Sequence, residues 1–148
     1  MKKLYLAYGS NLDHSQMMHR CPEAEYVGPT EVKDHELIYR GNNRDYGVAT
    51  IEPKLGENVP ACVWRISKAD EAALDRYEGW PVLYIKRNYK VEVNGEVVEA
   101  MAYIMTAGHK LAKPSPYYYE ILRRGYKDCK LDLEYLRNKT SIALNASR

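Results

Sequence analysis

The sequence predicts an α+β fold, in which a mostly antiparallel, curled or closed sheet is flanked by helices. Strand-like segments with apolar residues near period two fill most of the first two thirds of the chain. Helical signals are fewer. The dipeptide Asn94-Gly95 lies between two strand-like segments and indicates that they form an antiparallel hairpin.

Six segments are predicted to be strands, because most of them are short and rich in Val, Ile, Tyr and Thr. They are residues 3–7, 31–39, 47–52, 60–66, 84–93 and 97–105. Asn-Gly is favoured in two-residue turns, since both of its positions adopt a positive φ readily. We therefore expect residues 86–93 and 96–104 to pair antiparallel around Asn94-Gly95.

Four stretches are predicted to be helical: residues 15–21, 68–77, a turn and a half or more after Pro116, and 131–136. Ser67 can cap the second helix with Asp70 at its third position. Ser115 can cap the third, with Pro116 at the first helical position. The tail 140–148 lacks periodicity and is expected to fray.

Composition bounds the class of protein. A chain of 148 residues fits a single domain, here residues 1–148. Its 22 basic and 20 acidic residues are interspersed, so the net charge of +2 argues against nucleic acid or an anionic membrane as a partner. Three cysteines without metal-ligand spacing suit reduced thiols, which favours a cytoplasmic location. No apolar run approaches the roughly eighteen residues of a membrane span.

Two short runs are the strongest functional signals. The run 74–80 (LDRYEGW) places Glu78 and Gly79 at the end of the second predicted helix. The run 8–12 (YGSNL) interrupts the first apolar strand just before a helical stretch, and such a turn can direct several backbone N–H groups at one anion. Alone, Gly79 reads as an ordinary helix cap and Glu78 as a surface carboxylate, while Ser10 or Asn11 reads as a cap of the following helix.

Together these runs resemble the γ-glutamylcyclotransferase-like family, which includes the AIG2-like proteins. The resemblance rests on residues 8–12, on residues 74–79 followed by Tyr84, and on residues 114–116 (PSP) followed by Tyr118. It extends from Leu4 to about Leu136, and the order and spacing of the runs make it more specific than any single run.

The resemblance implies a small, mixed, mostly antiparallel β-barrel-like sheet flanked by helices. It also implies an enzyme that cleaves a γ-glutamyl amide by internal cyclisation, releasing 5-oxoproline and a free amino acid or amine. It implies a small-molecule γ-glutamyl substrate, no cofactor and no metal. The glutamate that matches the family's acid/base residue is Glu78. The matching substrate-binding residues are Tyr8, Gly9, Ser10, Asn11, Leu12, Tyr84 and Tyr118.

Several alternatives stay open at this stage. The N–H groups of residues 9–11 could stabilise either the oxyanion of the reacting carbonyl or the substrate's α-carboxylate, and the tyrosines could be donors or simply walls. The leaving-group pocket is expected to lie among the loops 41–46, 54–59 and 107–113. A non-catalytic protein that binds a small metabolite, or a small interaction domain, remains as an alternative. The oligomeric state is unknown.

Overall fold

The structure is a computed structural model that describes residues 2–41 and 46–146. Five strands and four helices lie within these ranges. In chain order they are β1 (Lys3–Ala7), α1 (His14–Arg20), β2 (Glu25–Gly41), β3 (Gly47–Ile66), α2 (Lys68–Glu78), β4 (Tyr84–Val93), β5 (Glu96–Met105), α3 (Pro116–Asp128) and α4 (Leu133–Ala146). A short 3₁₀ turn, Ser10–Leu12, separates β1 from α1.

The strands form one sheet in the order β2-β3-β1-β5-β4. β1 and β5 pair parallel, and the other three pairs are antiparallel. The α+β class and the mostly antiparallel sheet are therefore confirmed. The hairpin is also confirmed: β4 and β5 join at Asn94 and Gly95, which have φ of 53° and 81°.

The sheet is barrel-like only loosely, because its two edge strands approach each other without forming a ladder in the described residues. Thr30 of β2 donates a hydrogen bond to the carbonyl of Glu92 at 2.6 Å, and Asn94 donates to the carbonyl of Val27 at 3.1 Å. These side-chain bonds hold β2 and β4 together where a closed barrel would have backbone pairing. Of the curled or closed sheet that the sequence predicts, the structure has the curled form, which is not closed.

The paired strands β2 and β3 are longer than the sequence predicted. β3 is one continuous strand that includes both predicted segments, 47–52 and 60–66. Residues 54–57 lie in this strand as a wide bulge, since the ladder pairs Pro53 with His35 and resumes at Asn58 opposite Lys33. Asp34, at a φ of 58°, stabilises the bulge by accepting a hydrogen bond from the Gly56 N–H at 2.9 Å. The predicted loop 54–59 is therefore part of the sheet.

α4 continues to Ala146, so the expectation that helix ends near residue 136 and the tail frays is wrong for residues 140–146. Tertiary contacts supply what the sequence pattern lacked. Lys139 pairs with Glu36 at 3.0 Å and with Glu57 at 2.6 Å, and Thr140 shares a hydrogen bond with the hydroxyl of Tyr39 at 2.9 Å. Residues 147 and 148 lie outside the described residues.

The core lies between the curled sheet and the helices, and its largest fully buried side chains include Trp64, Tyr39 and Tyr126. Because this chain has fourteen tyrosines and no phenylalanine, buried tyrosine does the packing that phenylalanine often does. Within residues 2–41 and 46–146, no helix combines the length and the apolar character that crossing a bilayer requires.

Candidate active site

A cavity of about 200 Å³ opens beside the C-terminal ends of β1 and α2. Its wall is mostly tyrosine, and Glu78 is the one charged side chain among the described lining residues. They are Tyr5, Tyr8, Gly9, Ser10, Asn11, Val48, Ala49, Tyr77, Glu78, Leu83, Tyr84, Tyr103 and Tyr118. The fold thus brings together every predicted site residue except Leu12.

Glu78 is the last residue of a helix that is fixed at both ends. At its start, Ser67 accepts a hydrogen bond from the Asp70 N–H and the Asp70 carboxylate accepts one from the Ser67 N–H, both at 3.1 Å. At its end, Gly79 has a φ of 69°, a left-handed conformation that glycine adopts without strain. The end of α2 therefore serves two purposes: Gly79 terminates the helix, and Glu78, the last helical residue, lines the cavity.

The environment of Glu78 favours a protonated carboxyl. Burial raises the pKa of Glu78 to about 7, while the Arg20 guanidinium opposes this rise. The C-terminal end of α2 also disfavours a negative charge there. No donor in the described part of the chain is hydrogen-bonded to the Glu78 side chain, so its oxygens are left for water or a ligand in the cavity.

Residues 8–11 of loop 8–12 form another part of the wall. Its 3₁₀ turn closes with bonds from the Leu12 N–H to the Gly9 carbonyl at 3.0 Å and from the Asp13 N–H to the Ser10 carbonyl at 3.2 Å. The first N–H groups of such a turn have no partner within it, and no side chain caps this one. Ser10 and Asn11 both line the cavity, and their N–H groups have no partner within the turn.

The three predicted tyrosines are anchored through their hydroxyl groups. Tyr8 donates to the Tyr103 carbonyl at 2.5 Å, and Tyr84 donates to the Ala49 carbonyl at 3.0 Å. Tyr118 instead accepts from the Ala49 N–H at 3.0 Å. Burial raises the pKa of all three phenols, and Glu78 raises them further, so they are neutral at physiological pH.

Tyr118, the tyrosine that the resemblance matched to the substrate site, is the middle one of three consecutive tyrosines. Ser115 caps α3 by accepting from the Tyr118 N–H at 3.0 Å, and Tyr118 lines the cavity from the first turn of this helix. Tyr117 is 76% exposed and does not line the cavity. Tyr118 is thus the cavity-facing ring of the three.

Leu12 is the exception among the predicted site residues, and its placement corrects the prediction. Its side chain is fully buried away from the cavity. It lies under α3, where a Cβ added at Gly125 would come within 2.5 Å of the Leu12 Cβ, and its carbonyl accepts from the Cys129 thiol at 3.5 Å. Leu12 therefore fixes loop 8–12 to the core, because its apolar side chain packs better there than beside a polar cavity.

Sequence reasoning missed several lining residues and one residue behind the wall. Tyr5 and Tyr103 come from the middle of strands, where tyrosine is an ordinary packing residue, so no local signal marks them. Arg20 lies at the end of α1 and reaches Ser10, Asn11 and Tyr77, a set of contacts that only the folded chain creates.

The loops expected around the leaving-group pocket contribute little to this cavity. Neither 54–59 nor 107–113 provides a lining residue. Of the third loop, residues 42–45 lie outside the described residues, whereas Val48 and Ala49 just beyond it do line the cavity. Among the residues that the structure describes, no three His, Cys, Asp or Glu side chains gather as metal ligands.

Comparison with known proteins gives a consistent result. The profile of the family described as gamma-glutamyl cyclotransferase, AIG2-like matches residues 5–125. The chain is 32% identical to the human gamma-glutamylcyclotransferase over 151 aligned residues, which cover 96% of this chain and 79% of the relative. It is 31% identical to the bovine protein of the same name, with the same two coverages.

A solved structure of a gamma-glutamyl cyclotransferase superimposes with a TM-score of 0.85 at 30% sequence identity, covering 95% of this chain and 88% of the other. The family profile spans both functional runs, residues 8–12 and 74–80, and the similar backbone extends over the helices that position them. The chain belongs to the gamma-glutamyl cyclotransferase, AIG2-like family.

Proposed function

We propose that this chain is a γ-glutamylcyclotransferase, which converts a γ-glutamyl amide into 5-oxoproline and a free amino acid or amine. Family membership supports the reaction class. The single observation that carries the proposal is Glu78, a carboxyl whose pKa is raised to about 7 and which lines the same cavity as the uncapped turn at Ser10 and Asn11.

The reaction is an internal acyl transfer. The substrate's α-amine attacks its own γ-carbonyl carbon, the new C–N bond closes a five-membered lactam, and the bond to the leaving nitrogen breaks. Attacking and target atoms belong to one molecule, so a cavity that holds the folded-back conformer supplies much of the rate. No protein nucleophile is needed.

Glu78 serves as general base and then as general acid. Its carboxylate takes a proton from the α-ammonium group, and the carboxylic acid that results donates this proton to the departing nitrogen. A pKa of about 7 suits both steps, because a group that titrates near the working pH is able to accept and return a proton.

The remaining wall residues bind and orient the substrate. The N–H groups of loop 8–12 offer donors either to the γ-carbonyl oxygen as it gains negative charge or to the α-carboxylate. Tyr8 and Tyr84 act as walls, since their hydroxyl protons are engaged by backbone carbonyls. Tyr118 accepts from a backbone N–H, so its own proton is left for the substrate.

Further parts of the proposal concern the setting of the enzyme. The whole chain acts as one domain, supported by a contiguous core cluster that includes residues from Tyr5 to Leu136. We place it in the cytoplasm, because Cys21, Cys62 and Cys129 are all unpaired thiols, as suits a reducing compartment. Its partner is a small-molecule γ-glutamyl substrate.

The test is release of 5-oxoproline from a panel of γ-glutamyl amino acids and γ-glutamyl amines, with Glu78→Gln protein beside the wild type. We expect turnover by the wild type, loss of at least about 100-fold in the variant, and an unchanged fold by circular dichroism. The preferred leaving group then identifies the substrate class. Equal activity of the two proteins would contradict the role of Glu78, and no turnover across the panel would contradict the proposed reaction.

A further inference from the structure

Arg20 occupies a position between the two halves of the candidate active site. It is the last residue of α1, and its Nη1 atom donates to the Asn11 Oδ1 at 2.6 Å and to the Ser10 Oγ at 3.2 Å. The carbon at the centre of its guanidinium group lies 3.3 Å from the centroid of the Tyr77 ring. One side chain thus contacts both loop 8–12 and the residue that precedes Glu78.

The loop contact fixes Asn11 in one orientation. Its amide oxygen accepts from Arg20, and its amide nitrogen donates to the hydroxyl of Tyr5 at 2.9 Å. Its backbone carbonyl accepts from the indole nitrogen of Trp64 at 3.1 Å. Because the amide cannot exchange its oxygen and nitrogen without losing both side-chain bonds, Arg20 determines how this part of the loop meets the cavity.

The contact with Tyr77 acts on the other half of the site. Tyr77 is 49% exposed, so apolar packing alone holds it weakly, and the flat guanidinium group covers one face of its ring. The same region of α1 meets α2 again at its start, where the Cys21 thiol lies 3.6 Å from the Asp70 carbonyl. α1 therefore braces α2 at both ends.

The guanidinium group of Arg20 forms no ion pair in the described part of the chain. Within residues 2–41 and 46–146, no carboxylate lies within 4.0 Å of its guanidinium nitrogens. Other described groups that face Glu78 are the phenols of Tyr5, Tyr8, Tyr84 and Tyr118, which burial keeps neutral. Arg20 is thus the charged group of the described chain that opposes the raised pKa of Glu78.

We propose that Arg20 is a positioning residue, which ties loop 8–12 to the end of α2 and so sets the placement of Glu78 relative to the loop's backbone donors. This inference rests on the proposed function. Arginine suits the task better than lysine, because its planar group stacks on a ring and donates hydrogen bonds in the same plane, whereas an ammonium group is a compact point charge.

Two substitutions separate geometry from charge. Arg20→Gln removes the positive charge and the stacked, planar contact, whereas Arg20→Lys keeps the charge and removes only that contact. Arg76→Gln is the matched control. Arg76 lies exposed on the last turn of α2, so this substitution removes the same charge from a side chain outside loop 8–12. For each protein, kcat and KM for 5-oxoproline release are measured from pH 5 to 9, together with the melting temperature.

We expect Arg20→Gln to lower kcat/KM by about 10- to 100-fold, because small misplacements of reacting groups are costly. We also expect the midpoint of its acidic limb to move to higher pH, since Glu78 must lose a proton to act as base and the cation that favours this loss is gone. Arg20→Lys should lower kcat/KM while keeping the wild-type midpoint. Arg76→Gln should match the wild type both in kcat/KM and in the midpoint of the acidic limb.

A purely structural role predicts a different pattern. If both Arg20 variants melt at lower temperature but retain the kcat, KM and pH profile of the wild type, the positioning role is wrong while the proposed function stands. If Arg20→Gln does not fold, Arg20→Lys decides alone, since wild-type kcat/KM in that variant would overturn the inference. Absence of turnover in the wild type would instead contradict the proposed function.

Discussion

The hydroxyl of Tyr103 donates a hydrogen bond to the Asp75 carboxylate at 2.6 Å, one helical turn before Glu78. Asp75 also pairs with Lys86 of β4 at 3.0 Å, and Lys86 in turn pairs with Glu71 at 2.8 Å. Three residues of this network lie on α2 or in the cavity wall, so the network fastens the helix that carries Glu78 to the sheet. The position of Glu78 therefore depends on bonds that do not touch it.

Tyr103→Phe tests this dependence. The change removes one hydrogen bond and leaves Asp75 paired with Lys86. We expect the free energy of unfolding to fall by about 1 kcal/mol. We also expect kcat/KM for 5-oxoproline release to fall several-fold, because a small displacement of Glu78 misplaces the reacting groups. Tyr89→Phe is the control, because Tyr89 lies on β4 with its ring against His35 and outside the cavity. Equal kcat/KM for the two variants would contradict the dependence of the Glu78 position on the Tyr103–Asp75 hydrogen bond.

Glu78→Gln is expected to change stability in a pH-dependent way. The folded-state pKa of Glu78 is raised from 4.5 to about 7, so the folded protein holds this proton more tightly than the unfolded chain does. The resulting stabilisation is full below pH 4.5 and is lost as the pH rises to about 7. Glutamine stays neutral throughout. The free energy of unfolding of the variant should therefore rise relative to that of the wild type between pH 4.5 and pH 7.5, by about 3 kcal/mol at most.

Urea unfolding at pH 5 and at pH 8 measures this gain, with Glu99→Gln, an exposed position on β5, as the control. The free energy of unfolding of the Glu99 variant should differ from that of the wild type by the same amount at pH 5 and at pH 8. A constant difference for Glu78→Gln as well would mean that burial does not raise the pKa of this carboxyl.

Gly9→Ala is expected to impair binding and to spare the fold. A Cβ at this position would lie 3.5 Å from the Tyr118 hydroxyl and 3.6 Å from the Ala49 Cβ, which are ordinary contact distances. The added methyl group would, however, stand beside the hydroxyl that we assign to substrate binding. We expect KM to rise several-fold with a melting temperature close to that of the wild type, and an unchanged KM would show that the substrate does not approach Gly9.

Gly125→Ala should have the opposite profile, with a large effect on stability. A Cβ there would lie 2.5 Å from the Leu12 Cβ and 2.7 Å from the Asp13 nitrogen, so α3 would have to move away from loop 8–12. Alanine favours a helix by about 1 kcal/mol over glycine, but overpacking costs about 1–3 kcal/mol or more, and we expect net destabilisation. Urea unfolding beside Gly9→Ala checks this, and a stabilised Gly125 variant would contradict the close packing.

Local signals in the sequence were sufficient for the elements that depend on their own residues. The cap formed by Ser67 and Asp70, the helix start at Ser115 and Pro116, and the turn at Asn94-Gly95 are all where the sequence predicted them. Each involves atoms only a few residues apart, so few alternative arrangements compete with it. The length of α4 was missed because its second half is stabilised by ion pairs of Lys139 with residues about eighty and one hundred positions earlier.

The sequence by itself determined the fold class, the family and the two runs that contribute residues to the cavity, because these rest on local propensity and on short motifs in a fixed order. Only the tertiary structure decided that Leu12 packs into the core and that Arg20 reaches both halves of the site. Burial and hydrogen-bond partners decide such roles. Both are set by residues that meet only when the chain has folded.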